Sequence, residues 1–577
     1  MKNYTRQSTS YLWRATFVEV LILVIGVVLG IRVVFLHVAD SDFLRSKGDM
    51  ISLRKELIPT HRGIIMDRHG EPLAVSTPVV SIWANPKEML TKPIDWAQLS
   101  AALSIDQKTL QKQIAGNPEK GFVYLQRQLA PEQAEIILNK KIFGLYAKQE
   151  YRRYYPAGDV TSQLLGFTNI DDEGQEGVEL AFNDDLQGAP GKKRVLKDRL
   201  GRIVKEVQEI APPRTGKDLT LSIDLRLQYL AYRELKESVI EHNAHSGSAV
   251  ILDAKTGEVL AMVNYPAYNP NNRQQVNMSA LRNSTVTDVF EPGSTIKPFT
   301  VAAALTSGLF QPTTLIDTNP GQFRVGNRLV VKDHSNYGVI DVTTVITKSS
   351  NIGATKMVLA MGGETLRKML DGAGLGKATA ISFPGERSGV LPKHEKWRPI
   401  EEATMSYGYG ISVTPLQLAQ AYLTFANHGQ RPAITLLKRD PSEKIPTQQV
   451  MSTTIADEVL RMMETVTHEG GTATRAAIPA YRVAGKTGTA HKLNDSGGYA
   501  EKRYMAFFAG LVPVSDPALV AVVMVDDPQG SHYYGGEVAA PVFSKVIGAT
   551  LRLMNVTPDD LPVTAQQATP LTAGGRT

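Results

Sequence analysis

The pattern of apolar and polar positions divides the chain into three parts. An almost unbroken apolar run occupies residues 17–38 and includes the stretch LILVIGVVLGI. Residues 40–215 instead alternate short apolar runs with charges and with glycine and proline turns, which indicates a non-catalytic α+β module. Beyond residue 215, β-branched runs and helical periodicities predict a separate folded domain, and the sequence AlaProProArgThrGly at 211–216 predicts a hinge before it.

A membrane anchor is the expected role of the apolar run. Residues 1–16 carry three basic side chains and no acid, a bias that places this end of the chain in the cytoplasm. Glu19 and Arg32 leave 12 uncharged residues between them, which is also the length of a signal-peptide core. The sequence FLHVADSDF that follows is a poor cleavage site, so we expect an uncleaved anchor at 17–38. Arg32 is either a cation tolerated near the helix end or a contact with another membrane helix.

The domain beyond residue 215 shows an ordered series of strand and helix signals. Residues 248–263 form two β-branched runs around a Lys-Thr-Gly turn, which predicts a hairpin. Further strands are predicted at 486–490, 504–512 and 519–525, and helices at 294–305, 414–426 and 538–553. The implied α+β fold is a sheet whose strands come from both ends of the segment, with helices covering its faces.

Size and composition limit the classes of function. A chain of 577 residues is too long for one compact core and predicts two or three domains. The net charge of +6 is spread along the chain, so we expect no nucleic-acid partner. Cysteine is absent, which excludes disulfides, thiolate nucleophiles and cysteine-ligated metals. The 11 histidines show no H-E-x-x-H pattern, and we expect neither a metal nor a cofactor.

Three short motifs occur in order in the C-terminal part: S-x-x-K at 294–297, S-x-N at 349–351 and K-T-G-T at 486–489. Each motif alone is weak, because S-x-x-K also occurs at 52–55 and K-T-G at 255–257. Hairpin turn chemistry explains the copy at 255–257, and the copy at 52–55 precedes every strand of the predicted catalytic domain. The ordered triple therefore carries the functional hypothesis.

Ser294 is the predicted nucleophile. The Glu-Pro-Gly sequence before it should open a helix at the serine, and Pro298 is tolerated in a first helical turn. Positions i and i+3 share a helix face, so Lys297 is predicted beside the Ser294 hydroxyl. A serine needs a base, and partial burial together with a second cation, Lys486, would lower the pKa of Lys297 enough for that role. We interpret Glu291 as a helix-start charge.

The other two motifs supply the remaining groups. Ser349 is a candidate relay for a proton to the leaving amine, and the Asn351 amide is a candidate ligand of the substrate backbone. The backbone N–H groups of Ser294 and Thr489 are the predicted oxyanion hole. The hydroxyls of Thr487 and Thr489, beside Lys486, suit a substrate carboxylate. The predicted catalytic set is Ser294, Lys297, Ser349 and Lys486, and the predicted substrate-binding set is Asn351, Thr487, Gly488 and Thr489.

The motif triple resembles that of penicillin-binding proteins and serine β-lactamases. Over nearly its full length the chain is similar to class B penicillin-binding proteins. The stretches that carry this likeness outside the triple are 62–70, 153–156 (RYYP), 174–179 and 405–410 (MSYGYG). A glycosyltransferase module has no room between the apolar run and the middle module, which argues against class A. Residues 61–79 and 383–392 (FPGERSGVLP) are similar to the division-specific FtsI type.

The resemblance implies an anchor at 17–38 and an elongated pedestal of dimerisation type at 39–215. It further implies a transpeptidase domain at 216–557, with a five-stranded antiparallel sheet flanked by helices, and a flexible tail at 558–577. The implied activity is that of a D,D-transpeptidase in the periplasm, anchored by a single pass in the inner membrane and making septal peptidoglycan crosslinks. Ser294 would attack the penultimate D-Ala carbonyl of a stem peptide, and β-lactams would acylate the same serine. The implied protein partners are an FtsW-type glycosyltransferase and other divisome proteins.

Several alternatives use the same residues. A D,D-carboxypeptidase would pass the acyl group to water, and an elongation-specific transpeptidase would serve another cell-wall machine. A β-lactamase or β-lactam sensor would also acylate but does not predict a long pedestal. A catalytically silent scaffold of the division machinery is the alternative from another functional class, and the intact triple argues against it.

Overall fold

The computed structural model describes residues 8–43, 46–47, 53–197, 203–274, 277–327, 329–493 and 498–561. The chain forms two compact units. Unit 1 comprises 1–61, 78–151 and 188–215, and unit 2 comprises 62–77, 152–187 and 216–577. Two stretches of the expected pedestal, 62–77 and 152–187, thus belong to unit 2. Ser52 of the discarded motif copy and the tail beyond residue 561 lie outside the described residues.

The elements of the first part of the chain are α1 (Ser8–Val38), β1 (Leu53–Ile58), β2 (Ile65–Met66), β3 (Pro72–Ala84), α2 (Pro86–Met89), α3 (Trp96–Leu103), α4 (Gln107–Ile114), β4 (Val123–Leu129), α5 (Pro131–Leu138), β5 (Leu145–Tyr154), α6 (Ser162–Leu165), α7 (Gly177–Ala181), α8 (Asn183–Leu186), β6 (Gly191–Lys197), β7 (Ile203–Ala211) and β8 (Leu219–Thr220).

The elements that follow are α9 (Leu225–Glu241), β9 (Ser246–Asp253), β10 (Val259–Tyr265), α10 (Ser284–Thr287), α11 (Lys297–Thr306), β11 (Leu315–Asp317), β12 (Gln322–Val325), β13 (Leu329–Lys332), β14 (Val339–Asp341), α12 (Val342–Thr347), α13 (Asn351–Met361), α14 (Gly363–Gly372), α15 (Pro399–Ser406), α16 (Pro415–Ala426), β15 (Gln430–Pro432), β16 (Thr447–Gln449), α17 (Thr453–Glu464), β17 (Ala484–Leu493), β18 (Tyr499–Val512), β19 (Leu519–Asp526), α18 (Gly535–Val538) and α19 (Ala540–Leu553). Short 3₁₀ turns lie at Gly158–Thr161, Met278–Leu281, Gly293–Ile296 and Thr474–Ala476.

The apolar run forms one continuous helix, α1. Its segment Trp13–Val38 has 26 residues, and the most apolar 18-residue stretch has a mean hydropathy of 2.7, so the helix is long and apolar enough to cross a membrane. None of this segment's most apolar stretch is buried against other described residues. The Arg32 guanidinium lies 5.6 Å from the centre of the Phe35 ring, one turn along the helix. Within the part of the chain that the structure describes, this one N-terminal helix fits a single-pass anchor.

Unit 1 is built around two small sheets. In one sheet β3 pairs antiparallel with β4, from Val80↔Leu129 to Ala84↔Val123. Apolar side chains of α3 and α4 join Ile82 of β3 in a compact core. The second sheet has the order β1-β6-β7 and is antiparallel throughout. The mixture of strands and helices agrees with the α+β prediction for the pedestal.

Unit 2 contains a five-stranded antiparallel sheet with the order β10-β9-β19-β18-β17. Strands β9 and β10 form the predicted hairpin around the Lys-Thr-Gly turn, whereas β17, β18 and β19 come from the other end of the segment. The predicted arrangement is therefore confirmed. Every residue of β19 is buried, which means that both faces of the sheet are covered.

Helices form the layers over this sheet. α9 and α19 pack against one another and against the sheet, and α11, α16 and α17 form a second group of packed helices. All residues of α16 are buried, as are those of α11 from Lys297 to Leu305. A helix buried on every side lies in the core of its domain. Because α11 is such a helix, a side chain at its N-terminus has a fixed position.

A buried ion cluster joins two stretches of unit 2 that lie far apart in the sequence. The Glu179 carboxylate accepts hydrogen bonds from Arg62 Nε and Arg153 Nε, both at 2.6 Å. The side chains of all three residues are 0–1% exposed. Arg62 and Glu179 belong to two of the stretches that carry the family likeness, 62–70 and 174–179, so the likeness includes this ion pair.

Loss of the shared carboxylate should destabilise unit 2. We expect Glu179→Gln to lower the free energy of unfolding by about 3–5 kcal/mol, because two buried guanidinium groups would lose their counter-charge. Thermal and denaturant unfolding of the full chain in detergent measures this change. Glu173→Gln is the control, since Glu173 is exposed and its loss should cost less than about 0.5 kcal/mol. Equal effects of the two substitutions would contradict the prediction.

Candidate active site

Ser294 lies in the 3₁₀ turn Gly293–Ile296, which continues directly into α11. The α-helix thus begins at Lys297, whereas the sequence predicts that it begins at Ser294. The 3₁₀ turn aligns the side chains of Ser294 and Lys297 better than an α-helical turn would, because side chains at i and i+3 eclipse one another in a 3₁₀ turn. Lys297 Nζ lies 3.0 Å from Ser294 Oγ. Pro298 occupies the first turn of α11, where its missing N–H is harmless.

Lys297 also contacts the second motif. Its Nζ lies 3.1 Å from Ser349 Oγ and 2.5 Å from the Ser349 carbonyl oxygen. The Asn351 amide oxygen lies 2.7 Å away. The lysine of the first motif therefore links the nucleophile to both polar side chains of the S-x-N motif.

The S-x-N motif forms the turn between α12 and α13. Ser349 has a φ of 59°, a left-handed conformation that is uncommon for serine. Ser350 caps α13, because its Oγ accepts a hydrogen bond from the Gly353 N–H at 2.9 Å. Backbone strain of this kind clusters at functional sites. The turn holds Ser349 and Asn351 toward Lys297.

The third motif lies on β17, the edge strand of the sheet, which pairs with β18. Glycine is required at position 488, since a Cβ there would lie 1.8 Å from Phe507 Cε2. A Cβ on Gly293 would lie 3.7 Å from the Thr489 carbonyl oxygen. The backbones of the first and third motifs thus run side by side, as the predicted oxyanion hole of Ser294 and Thr489 requires.

The hydroxyls of the third motif are held by their surroundings. Thr487 Oγ1 lies 2.9 Å from Thr472 Oγ1 and 3.4 Å from Lys486 Nζ. Thr489 Oγ1 accepts a hydrogen bond from the Gly535 N–H at 3.1 Å. Each hydroxyl keeps further hydrogen-bonding capacity. The first and second motifs are thus in direct contact, and the third motif approaches them where Thr489 lies beside Gly293.

Burial lowers the pKa of both lysines. The side chains of Lys297 and Lys486 are each 0% exposed. Burial lowers the pKa of Lys297 well below its ordinary value, the Lys486 ammonium lowers this pKa further, and Asp333 opposes both effects. Burial lowers the pKa of Lys486 to about 7. A neutral Lys297 amine beside a serine hydroxyl is the arrangement that proton abstraction needs.

Two acidic residues at the site, Glu291 and Asp333, make contacts that the sequence does not predict. Glu291 accepts hydrogen bonds from the Gly410 N–H at 2.9 Å and from the Tyr499 hydroxyl at 3.0 Å. It therefore joins two separate segments beside the nucleophile, beyond the helix-start role predicted for it. Asp333 contacts the S-x-N motif. No local pattern marks either contact, because the partners lie 17 or more residues away.

These features define the site of a serine acyltransferase, in which a serine and a buried lysine lie in contact beside a five-stranded antiparallel sheet. The chain matches the penicillin-binding protein transpeptidase domain over residues 247–548 and the penicillin-binding protein dimerisation domain over residues 57–221. It belongs to the class B penicillin-binding proteins, the family that its motifs resemble.

Curated relatives match nearly the whole chain. The peptidoglycan D,D-transpeptidase FtsI of Escherichia coli K12 is 45% identical over 555 residues, which cover 95% of this chain and 93% of the relative. The probable peptidoglycan D,D-transpeptidase PbpC of Pseudomonas aeruginosa is 42% identical, over 95% of this chain and 96% of the relative. A solved structure of penicillin-binding protein 3 from Mycobacterium tuberculosis with aztreonam has a TM-score of 0.68 and 26% identity, over 87% of this chain and 98% of that one.

The paired lysines should be visible in the pH dependence of β-lactam acylation. The rate should rise with pH as Lys297 loses its proton. In Lys486→Met the second cation is gone, so the pKa of Lys297 should rise. The acidic limb of the pH–rate profile, which is the pH range over which the rate rises, should therefore move up by about one pH unit. Acylation by a fluorescent penicillin from about pH 5 to pH 9 measures the limb.

Lys255→Met is the matched control, because Lys255 belongs to the exposed turn copy of K-T-G. This control should leave the limb where it is. An unmoved limb in Lys486→Met would mean that the two lysines do not interact as described.

Proposed function

We propose that the protein is a peptidoglycan D,D-transpeptidase that crosslinks stem peptides of septal cell wall through an acyl-enzyme on Ser294. The observation that carries the proposal is the fully buried Lys297 amine, 3.0 Å from Ser294 Oγ and also in contact with the S-x-N motif. Similarity to the transpeptidase FtsI over 95% of the chain supports the choice of substrate.

In the first step, neutral Lys297 takes the proton from Ser294 Oγ as this oxygen attacks the carbonyl carbon of the penultimate D-Ala. The backbone N–H groups of Ser294 and Thr489 stabilise the oxyanion that forms. Proximity of these two backbones supports that role. The product of the step is a tetrahedral intermediate with a protonated Lys297.

In the second step, the bond to the terminal D-Ala nitrogen breaks. The nitrogen takes a proton that Ser349 relays from Lys297, and free D-Ala leaves. The position of Ser349 Oγ, 3.1 Å from Lys297 Nζ, suits this relay. The amine of a neighbouring stem then attacks the Ser294 ester and loses its proton to the same base. A new amide bond forms, and Ser294 regains its hydroxyl.

The remaining predicted residues bind the donor stem. The Asn351 amide holds the peptide backbone, and the segment Lys486–Thr489 on the sheet edge accepts the terminal carboxylate. The Thr487 and Thr489 hydroxyls donate to that carboxylate. Gly488 lets the strand pack against Phe507 without a side chain between them. A β-lactam presents a carboxylate and a strained amide to the same groups, which explains how it would acylate Ser294.

Three basic residues near the N-terminal end of the apolar run support an orientation in the membrane. Lys2, Arg6 and Arg14 favour a cytoplasmic N-terminus, and we infer that the residues after the apolar run lie in the periplasm. We assign the pedestal function to 39–215 and the transpeptidase function to 216–557, with the described residues ending at 561. An FtsW-type glycosyltransferase and other divisome proteins are the proposed partners, with Arg32 and the pedestal as contact surfaces.

Loss of the nucleophile should abolish covalent labelling. Purified wild-type protein should bind fluorescent penicillin in a stable adduct, and Ser294→Ala should bind none, because the ester cannot form. Ser52→Ala is the control, since it removes the serine of the other S-x-x-K copy, and it should label fully. Failure of the wild-type protein to label would refute the enzymatic function.

Depletion in cells tests the septal role. Cells that lose the protein should grow as filaments, because cell-wall synthesis continues along the sides but not at the septum. Wild-type protein supplied in trans should restore division, whereas Ser294→Ala should not. Rounded cells would instead indicate elongation. Rescue by Ser294→Ala would indicate a scaffold.

A further inference from the structure

Asp333 directly follows β13 and binds the beginning of α13. Its Oδ2 accepts a hydrogen bond from Ser350 Oγ at 2.6 Å. Its Oδ1 accepts hydrogen bonds from the backbone N–H groups of Asn351 at 2.6 Å and Ile352 at 3.0 Å. A carboxylate at a helix N-terminus satisfies amides that have no partner within the helix and interacts favourably with the helix dipole. Asp333 thus caps α13 from outside the helix.

The same segment fixes the Asn351 side chain. Its Nδ2 donates a hydrogen bond to the Lys332 carbonyl oxygen at 3.0 Å, while its Oδ1 lies 2.7 Å from Lys297 Nζ. The amide therefore cannot rotate without losing one of the two contacts. Lys332 and Asp333 together determine which atom of Asn351 points at the base.

Asp333 also supports the strained serine. The left-handed conformation of Ser349 persists only if the residues around it are held firmly. Its N–H donates to the Ile346 carbonyl on one side, and Ser350 and Asn351 are bound by Asp333 on the other. Release of this carboxylate would let the turn relax and move Ser349 Oγ away from Lys297.

The charge of Asp333 acts on the same lysine. The charged groups that face the Lys297 amine are Lys486 on β17 and Asp333 after β13. The other groups in contact with the amine, from Ser294, Ser349 and Asn351, are neutral. Lys486 lowers the pKa of Lys297, and Asp333 raises it. Asp333 thereby limits how far the pKa of the base falls.

We propose that Asp333 is a positioning residue of this site, which holds Ser349 and Asn351 against Lys297 through Ser350 and the first amides of α13. The inference rests on the proposed acyl-transfer function. Asp333 does not touch substrate in this role. It acts through the S-x-N motif and through its charge.

Acylation by a fluorescent penicillin, measured across the pH range on the full chain in detergent, tests the proposal. Asp333→Ala should slow acylation by about tenfold or more, because it removes three hydrogen bonds from residues 350–352. Asp333→Asn should be faster than Asp333→Ala, since an amide oxygen still accepts the backbone N–H bonds. The acidic limb of Asp333→Asn should move to lower pH, opposite to Lys486→Met, because the carboxylate that favours protonated Lys297 is gone.

Asp341→Asn is the matched control. Asp341 caps the preceding helix α12 through the Thr344 N–H at 2.7 Å and is not among the charged groups that act on Lys297. It should lower the melting temperature slightly and leave the limb unmoved. An Asp333→Asn variant with an unmoved limb, whether its rate is normal or lowered equally at every pH, would overturn the proposal. Failure of wild-type protein to label would instead refute the proposed function.

Discussion

Exclusion of water from the Lys297 amine is the constraint on which the rest of the site depends. An ammonium removed from water needs a counter-charge, and Lys297 has only neutral oxygen atoms in direct contact. Four of these oxygens lie within 3.1 Å of Nζ. A neutral amine has two N–H groups and one lone pair, so it cannot donate to all four. The Ser294 and Ser349 hydroxyls are the contacts that can donate to the lone pair.

The fold is arranged to keep this amine in place. Lys297 begins a helix that is buried along almost its whole length, so the base cannot move toward solvent. The edge strand β17 brings Lys486, a second buried lysine, near the Lys297 amine. The tight packing of Gly488 on Phe507 fixes the position of that strand. Because β17 is an edge strand, its outer backbone groups remain available to an extended peptide. The same packing therefore holds the two buried lysines and positions the edge strand.

Elements that depend on local sequence patterns are predictable from the sequence, whereas contacts between distant segments are not. The hairpin of β9 and β10 and the helix α16 are local patterns, and the sequence predicts them within a few residues. The motif triple predicts the site because its chemistry requires fixed residue types. The division of 62–77 and 152–187 into unit 2 cannot be predicted in this way, since it depends on pairing such as that of β2 with β8. Contacts such as Glu291 with Tyr499, 208 residues apart, leave no periodic signal for the same reason.

The glycines in the stretch 174–179 are required by close packing of the backbone. A Cβ on Gly177, which has a φ of +60°, would lie 2.6 Å from the Leu164 carbonyl oxygen, so only glycine permits this approach. The close approach places α7 so that Glu179 reaches two buried arginines. Burial also raises the pKa of the nearby Asp172 to about 6, and the charges of Arg153 and Arg62 oppose this shift. The glycines thus set the position of the buried Glu179 carboxylate. A substitution of one of these glycines should therefore disturb the ion cluster before it disturbs any other part of unit 2.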